Sequence, residues 1–157
     1  TRIDAHAKEA MLMASILFAA GSFTGILKGT GMMEAMAATV QTLLPEQLGR
    51  QLPLLTGLVA MPASLLFDPD SFYFGILPLL STTAATFGAS SLEVGQAAIL
   101  GQMTTGFPIS PLTGSTFLLV GLAGVELGDH QKKTIPLAFL VTMVMLLVSV
   151  VLGIISI

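Results

Sequence analysis

The sequence predicts an all-α integral membrane protein, and three observations support this fold class. Of its 157 residues, 54% are hydrophobic and 10% are charged, whereas a soluble domain carries about 25% charged residues. The mean hydropathy is +0.90. The apolar residues also form blocks, which polar stretches with glycine and proline separate. This composition and this grouping are typical of helices that lie in a lipid bilayer.

Several other classes of protein are excluded by the same composition. The net charge is −3, and the six Lys and Arg residues form no basic block, so a nucleic-acid partner is not expected. The absence of cysteine excludes disulfides and thiolate metal sites. Neither histidine lies inside an apolar block, and no Ser-His or Asp-Asp pair stands out at helical spacing, so we do not expect an enzyme.

The apolar blocks differ in length, and only the last one matches a simple membrane span. Residues 137–157 carry no charge, and a straight crossing needs about 20 apolar residues. Earlier blocks of 16 or 17 residues are short, so we predict re-entrant arms, half-helices or tightly packed helices. The blocks are residues 11–27 with an amphipathic run to Leu44, residues 52–67, residues 72–88, a long segment from residue 91, and residues 136–157.

Two interruptions between the blocks share one pattern, an oxygen-bearing side chain followed by proline. Ser110 precedes Pro111, and Asp68 precedes Pro69. A serine or aspartate at the N-cap, with proline at the first helical position, favours the start of a helix. The sequence therefore predicts that helices begin at Pro69 and near Pro111.

The position of these breaks between apolar blocks indicates a cavity inside the membrane. Non-helical backbone inside a membrane is tolerated only where it is buried in protein or lines a watery cavity. Interrupted apolar segments in pairs are also the sequence feature that best marks the site of a secondary transporter. The alternative for the first break is an ordinary loop at the membrane surface. For the second break it is a proline kink, in which side-chain hydroxyls replace the lost hydrogen bonds of the helix. Those hydroxyls belong to Ser110, Thr113, Ser115 and Thr116.

Other polar residues are assigned structural roles. Ser90 and Glu93 fit a capping box at the start of the segment from residue 91. Lys28 is predicted to end a helix and to extend its ammonium group to the interface. His130 lies in a predicted boundary loop, where packing is favoured over proton transfer. An interfacial amphipathic helix is predicted from the apolar face of Met32, Met33, Met36, Val40 and Leu44.

Three motifs, in order along the chain, resemble one known family. They are FAAGSFTGILKGTGMMEAMA, FDPDSFYFGILPLL and SPLTGSTFLLVGLAGVELGDHQKKT. Over nearly its whole length, the chain resembles the C-terminal part of the citrate-metal:proton symporter family, in the ion transporter superfamily. Because the chain also begins without methionine or a secretory signal, we expect a fragment of a longer protein.

The resemblance implies a carrier built from two inverted halves, of which this chain would be the C-terminal one. Each half contributes a re-entrant hairpin and a discontinuous transmembrane helix to a shared site at the membrane midplane. The expected parts are a broken helix with an interfacial arm (11–44), the re-entrant hairpin (52–88), the discontinuous helix (91–127) and a final span (136–157).

The function that the resemblance implies is proton-coupled uptake of citrate complexed with a divalent metal ion such as Mg²⁺ or Ca²⁺. The metal belongs to the substrate, and no permanently bound cofactor is expected. Because a divalent ion neutralises part of the citrate charge, neutral donors suffice to bind the complex at membrane depth. A carrier of another di- or tricarboxylate or organic anion is the alternative, followed by a channel-like membrane subunit.

The site that this function requires is expected in the two breaks. Asp68 and Asp70 would serve the metal ion or the coupling proton, because carboxylates suit hard cations. The other interpretation stays open, in which Asp68 is only an N-cap and Asp70 stabilises the helix dipole. The expected substrate-binding residues are Ser110, Thr113, Ser71, Gly106 and Thr105.

The cations predict an orientation in the membrane. Lys132 and Lys133 follow the discontinuous helix, and Arg2 and Lys8 precede the first block. By the positive-inside rule both loops face the cytoplasm, so the C-terminus faces outward. We expect a multi-pass protein of the cell inner membrane. The expected partners are the lipid bilayer and the missing N-terminal half of the same protein, with a homodimer as a candidate assembly.

Overall fold

The computed structural model describes the backbone of residues 2–156, and the side chains of that range except residues 2–6, 9, 10, 13 and 16. Every regular element in that range is helical, so the all-α prediction is confirmed. The Arg2 side chain, used for the orientation, and Ile157, the end of the predicted final span, lie outside the described residues. The elements are α1 (Arg2–Gly29), α2 (Met32–Leu43), α3 (Glu46–Arg50), α4 (Leu52–Ala63), α5 (Pro69–Ser71), the π-helical segment π1 (Phe72–Ile76), α6 (Leu77–Thr86), α7 (Ser91–Ala98), the π-helical segment π2 (Ile99–Gly106), α8 (Gly114–Ala123) and α9 (Leu127–Val151).

A glycine turn separates the first two helices. α1 ends at Gly29 with Lys28 in its last turn, as the sequence predicted. Gly31 then adopts a left-handed conformation with φ of 73°, which glycine tolerates because it has no Cβ. The chain thereby changes direction between α1 and α2.

α2 packs on α6 with part of its apolar face. Met33 and Ala37 are buried and Val40 is half-buried, a spacing that follows the period of 3.6 residues per helical turn. Met32 and Met36, which were expected on the same face, are exposed. The face therefore divides between residues that pack on α6 and residues that remain exposed, and the interfacial position of α2 stays a prediction.

α4 and the helical stretch from Pro69 to Thr86 are two arms joined by a short turn, residues 64–67, which we call the hairpin turn. Asp68 caps the second arm, as predicted, because one carboxylate oxygen accepts a hydrogen bond from the Ser71 amide at 3.2 Å. Inside this arm, the Phe74 carbonyl of π1 accepts a hydrogen bond from the Thr24 hydroxyl of α1 at 3.0 Å. That bond ties α1 to the second arm.

α7 and π2 form one continuous helical arm that lies along α4, and two glycines permit the close approach. A Cβ on Gly101 would overlap the amide nitrogen of Met61 and lie 2.6 Å from the Cβ of Ala60. A Cβ on Gly106 would overlap the side chain of Ser64. The two arms are therefore in direct contact along their backbones.

The start of α7 agrees with the sequence analysis, although only half of the capping box is formed. Ser90 is the N-cap, and its Oγ accepts a hydrogen bond from the Glu93 amide at 3.4 Å. The Glu93 carboxylate turns instead to Ser156, whose amide donates to it at 2.7 Å. Glu93 thus has the structural role that was predicted, with a more distant partner.

The predicted helix start near Pro111 is wrong. α8 begins at Gly114, with Thr113 as the N-cap. The Ser110 hydroxyl accepts a hydrogen bond from the Leu112 amide at 3.2 Å, within a tight turn. It also donates to the Ser64 carbonyl of the hairpin turn. This contact with a distant segment holds Ser110 and Pro111 in a non-helical conformation, so residues 107–113 form a longer break than the sequence predicted.

α9 begins earlier than the predicted final span. It starts at Leu127, so residues 128–133, predicted as a loop, form its first turns. Gly124 ends α8 in a left-handed conformation with φ of 65°. Asp129 in the first turn of α9 favours the early start, because negative charge stabilises a helix N-terminus. Among the described residues, α9 is the one helix that has the length and composition to cross a membrane.

Candidate functional site

The break at residues 107–113 contacts the hairpin turn, which directly precedes Asp68 and Pro69. Ser110, in the break at residues 107–113, donates a hydrogen bond to the Ser64 carbonyl in the hairpin turn, and both residues are buried. A second, longer contact joins the Gln102 amide nitrogen to the Phe67 carbonyl at 3.5 Å. Residues that lie 46 and 35 positions apart in the sequence are therefore brought together.

Hydroxyl groups at the end of the second break and in the first turn of α8 satisfy the first carbonyl of the break. The Phe107 carbonyl accepts hydrogen bonds from Thr113 at 2.8 Å and from Thr116 at 3.1 Å. The two threonine hydroxyls also lie 2.8 Å from each other. Both side chains are buried. The repair by hydroxyls that the alternative interpretation expected is thus present for Thr113 and Thr116, around a segment that has left the helical conformation.

The next two carbonyls of this break are satisfied from α9. His130 Nε2 lies 3.1 Å from the Pro108 carbonyl oxygen, and Gln131 Nε2 donates to the Ile109 carbonyl at 2.9 Å. His130 was expected to have a packing role in a loop. The structure instead places it in a helix, against the backbone of the break.

The two acids of the first break have different surroundings. The Asp68 carboxylate accepts hydrogen bonds from both the amide and the hydroxyl of Ser71. Asp70 is exposed in the first turn of the same arm. Asp70 and Ser71 line a groove together with Ala19 and Phe23 of α1. Both open interpretations therefore have a structural basis, a capping role for Asp68 and an accessible carboxylate at Asp70.

Two residues of the expected substrate-binding set are engaged in packing between helices. The Thr105 hydroxyl lies 2.5 Å from the Thr142 hydroxyl of α9 and donates to the Gly101 carbonyl at 3.2 Å. Gly106 lies against the Ser64 side chain. In the described part of the chain, no three His, Cys, Asp or Glu side chains are grouped closely enough to hold a metal ion.

Gln102 is a residue of this region that the sequence analysis did not identify. Its side chain is fully buried, with 0% exposure, and its Oε1 has no hydrogen-bond partner among the described residues. It lies in π2, and π-helical geometry occurs often at functional sites. An unpaired buried amide oxygen costs free energy, so a bound group that donates to it would be stabilised. The available signal was a lone glutamine in the apolar run ILGQM.

Relatives with known names come from Bacillus subtilis (strain 168). The chain is 48% identical over 155 residues to a protein named citrate transporter. It is 41% identical over 156 residues to one named Mg(2+)/citrate complex secondary transporter. A third, 32% identical over 156 residues, is named uncharacterized transporter YraO. No protein-family model and no solved structure matches the chain.

The similarity covers nearly the whole of this chain and a minor part of its relatives. The first two alignments include 99% of the chain and 36% of each relative, so the chain spans about a third of the length of the curated relatives it matches. The names describe transporters, in agreement with the prediction that the chain is not an enzyme. The resemblance to citrate-metal transporters that the sequence indicated is therefore confirmed.

Proposed function

We propose that the protein containing this chain is a secondary transporter that takes up citrate complexed with a divalent metal ion. The observation that carries the proposal is the hydrogen bond from Ser110 to the Ser64 carbonyl, which joins the second break to the hairpin turn beside the first. A carrier needs such interrupted segments side by side to build a binding site inside the membrane. The names of the relatives, citrate transporter and Mg(2+)/citrate complex secondary transporter, supply the substrate class.

The start of α8 is the proposed contact for citrate carboxylates. The first amides of a helix have no acceptor within it, and the helix dipole adds positive potential there. Thr113 is the N-cap of α8 and Gly114 its first residue. A carboxylate at this point would accept from the free amides. Because the metal has already removed part of the citrate charge, these neutral donors suffice, and no arginine or lysine is required at the site.

The wider architecture is also part of the proposal. The two arms around the hairpin turn would be the re-entrant hairpin (52–88), and α7, π2 and α8 the discontinuous helix (91–127). The N-terminal half would supply an inverted copy of both. Alternating access would then move the two breaks relative to a scaffold that both halves build. We further propose an inner-membrane location, multi-pass topology with the C-terminus outside, and a homodimer as the assembly.

Transport by the full protein in proteoliposomes tests the substrate. We expect uptake of labelled citrate to require Mg²⁺ or another divalent ion, because free citrate carries more charge into the membrane. An inward proton gradient should accelerate uptake in the presence of the metal. Metal-independent uptake would indicate a carrier of free carboxylates instead. Passive ohmic current with no saturation by citrate would favour the channel-like alternative.

Gln102 is proposed to belong to the same site, and a leucine substitution tests this role. Gln102→Leu removes an unpaired buried oxygen together with the long contact from the amide nitrogen to the Phe67 carbonyl, so the melting temperature should change little. If Oε1 accepts a hydrogen bond from the citrate hydroxyl or from a water on the metal ion, the uptake rate at low citrate concentration should nevertheless fall about 10-fold, because such a hydrogen bond contributes up to about 1.5 kcal/mol. Gln96→Leu in α7 is the matched control. Normal uptake by Gln102→Leu would show that the amide only fills space.

A further inference from the structure

Two neighbouring residues of α9 hold two neighbouring carbonyls of the second break. His130 Nε2 lies 3.1 Å from the Pro108 oxygen, and Gln131 Nε2 lies 2.9 Å from the Ile109 oxygen. Backbone carbonyls that leave a helix need new donors, because an unpaired buried carbonyl is costly. Within the break, threonines serve the Phe107 carbonyl. The carbonyls at 108 and 109 depend on donors that come from another helix.

The held carbonyls lie directly before the residue that contacts the hairpin turn. Ile109 is fully buried and packs with Met61 and Ala138. Ser110 follows it and donates to the Ser64 carbonyl. Because peptide groups are planar, a rotation of the Ile109 carbonyl would reorient the Ser110 amide. The hydrogen bonds from α9 therefore limit the orientation of Ser110 and of the turn that leads to α8.

The contact with Pro108 identifies which ring nitrogen of His130 is the donor. A carbonyl oxygen only accepts, so Nε2 must carry the proton that is donated to Pro108. Nδ1 lies 3.4 Å from the Thr134 hydroxyl, which can donate to it. Hydrogen on Nε2 satisfies the contact with Pro108 in either role of the Thr134 hydroxyl, as donor to Nδ1 or as acceptor from it. His130 therefore acts through a hydrogen bond at a fixed atom.

We propose that His130 and Gln131 are positioning residues, which hold residues 107–110 in the conformation that keeps Ser110 bonded to the hairpin turn and presents the start of α8 to the substrate. This inference rests on the proposed transport function. Without the two donors, the break would populate additional conformations, and only a fraction of the molecules would be competent to bind. The apparent affinity falls by that fraction.

Kinetics of the full protein in proteoliposomes provide the first test. His130→Leu and Gln131→Leu should each raise the KM for the Mg²⁺-citrate complex about five-fold, the equivalent of roughly 1 kcal/mol for one hydrogen bond. The maximal rate should change much less. His130→Gln keeps an Nε2 donor and should restore the KM. Lys132→Gln, in the same turn and exposed, is the control. A KM that stays at the wild-type value, or a loss that His130→Gln does not rescue, would overturn the proposal.

A second measurement does not depend on transport. The chain has no cysteine, so Leu112→Cys can report on the break once native cysteines elsewhere in the full protein are replaced. Leu112 is partly exposed, and its amide donates to Ser110. Adding His130→Leu should accelerate modification of this cysteine by a maleimide several-fold. An unchanged labelling rate would contradict the positioning role. Faster labelling in a protein that does not carry citrate would leave the positioning role intact and refute the proposed function.

Discussion

Replacing Gly101 with alanine is expected to destabilise the protein by about 3 kcal/mol or to prevent folding, the upper end of the cost of overpacking a helix contact. The added Cβ would overlap the Met61 amide nitrogen and lie 2.8 Å from the carbonyl carbon of Ala60. These are backbone atoms, which cannot move aside as a flexible side chain can. α4 and π2 would have to separate along their contact. Circular dichroism during heating, in detergent, measures the loss of stability.

Gly95→Ala is the matched control for this prediction. Gly95 lies in α7, in the same continuous arm, and its Cβ would meet no atom within 4 Å. Alanine there should stabilise the helix by up to about 1 kcal/mol, because glycine loses more backbone entropy on folding. If Gly101→Ala melted at the temperature of the wild type or of Gly95→Ala, the close packing of α4 on π2 would be incorrect.

Asp70→Asn should reduce metal-dependent citrate uptake on the order of 100-fold if Asp70 binds the metal ion in a site that the missing half of the carrier encloses, because removing one partner of a buried charge pair costs roughly 2–5 kcal/mol. Asp70 is exposed at the start of the second arm, where its carboxylate is accessible to a metal ion or a proton. Asparagine has nearly the same shape, so folding should be preserved. Uptake of labelled citrate with Mg²⁺, measured beside the melting temperature, separates a loss of charge from a loss of fold.

Asp68→Asn tests the other interpretation of the same turn. Asparagine is also a good N-cap and can still accept the hydrogen bond from the Ser71 amide. If Asp68 only caps the helix, this variant should retain uptake. Asp129→Asn makes the same exchange in the first turn of α9 and serves as a control. Wild-type uptake in both Asp68→Asn and Asp70→Asn would leave a structural role alone for the two acids.

The helix starts that sequence reasoning located correctly depend on local contacts. Asp68 accepts from Ser71, and Ser90 accepts from the Glu93 amide, each three residues along the chain. Such contacts follow from residue type and spacing alone. The same pattern failed at Ser110, where α8 begins only at Gly114. The Ser110 hydroxyl does accept from a nearby amide, that of Leu112, but within a tight turn, and it also donates to Ser64, 46 residues away. That distant partner could not be read from residue type and spacing.

The early start of α9 was missed for a different reason. Two lysines and a histidine within residues 128–133 predict a loop, because charge often marks the end of a membrane segment. A helix can continue beyond the apolar region, however, and α9 includes these residues. Because a loop was predicted there, His130 was also misplaced. Its partner is the Pro108 carbonyl, 22 residues away. Every residue has a carbonyl, so the sequence contains no sign of which one would be left without a donor.

The two π-helical segments have a geometric consequence for how the arms could move. In π2 the hydroxyls of Thr104 and Thr105 reach back five residues, to the carbonyls of Ile99 and Leu100 at 2.9 and 3.3 Å. An α-helix has 3.6 residues per turn, so each residue advances the screw by about 100° and about 1.5 Å. A π segment accommodates an extra residue in this screw. Absorbing that residue into α-helical geometry would turn everything downstream by about 100°. π1 follows the hairpin turn, and π2 precedes the second break. A change from π-helical to α-helical geometry in either segment would therefore rotate the adjoining break by a large angle.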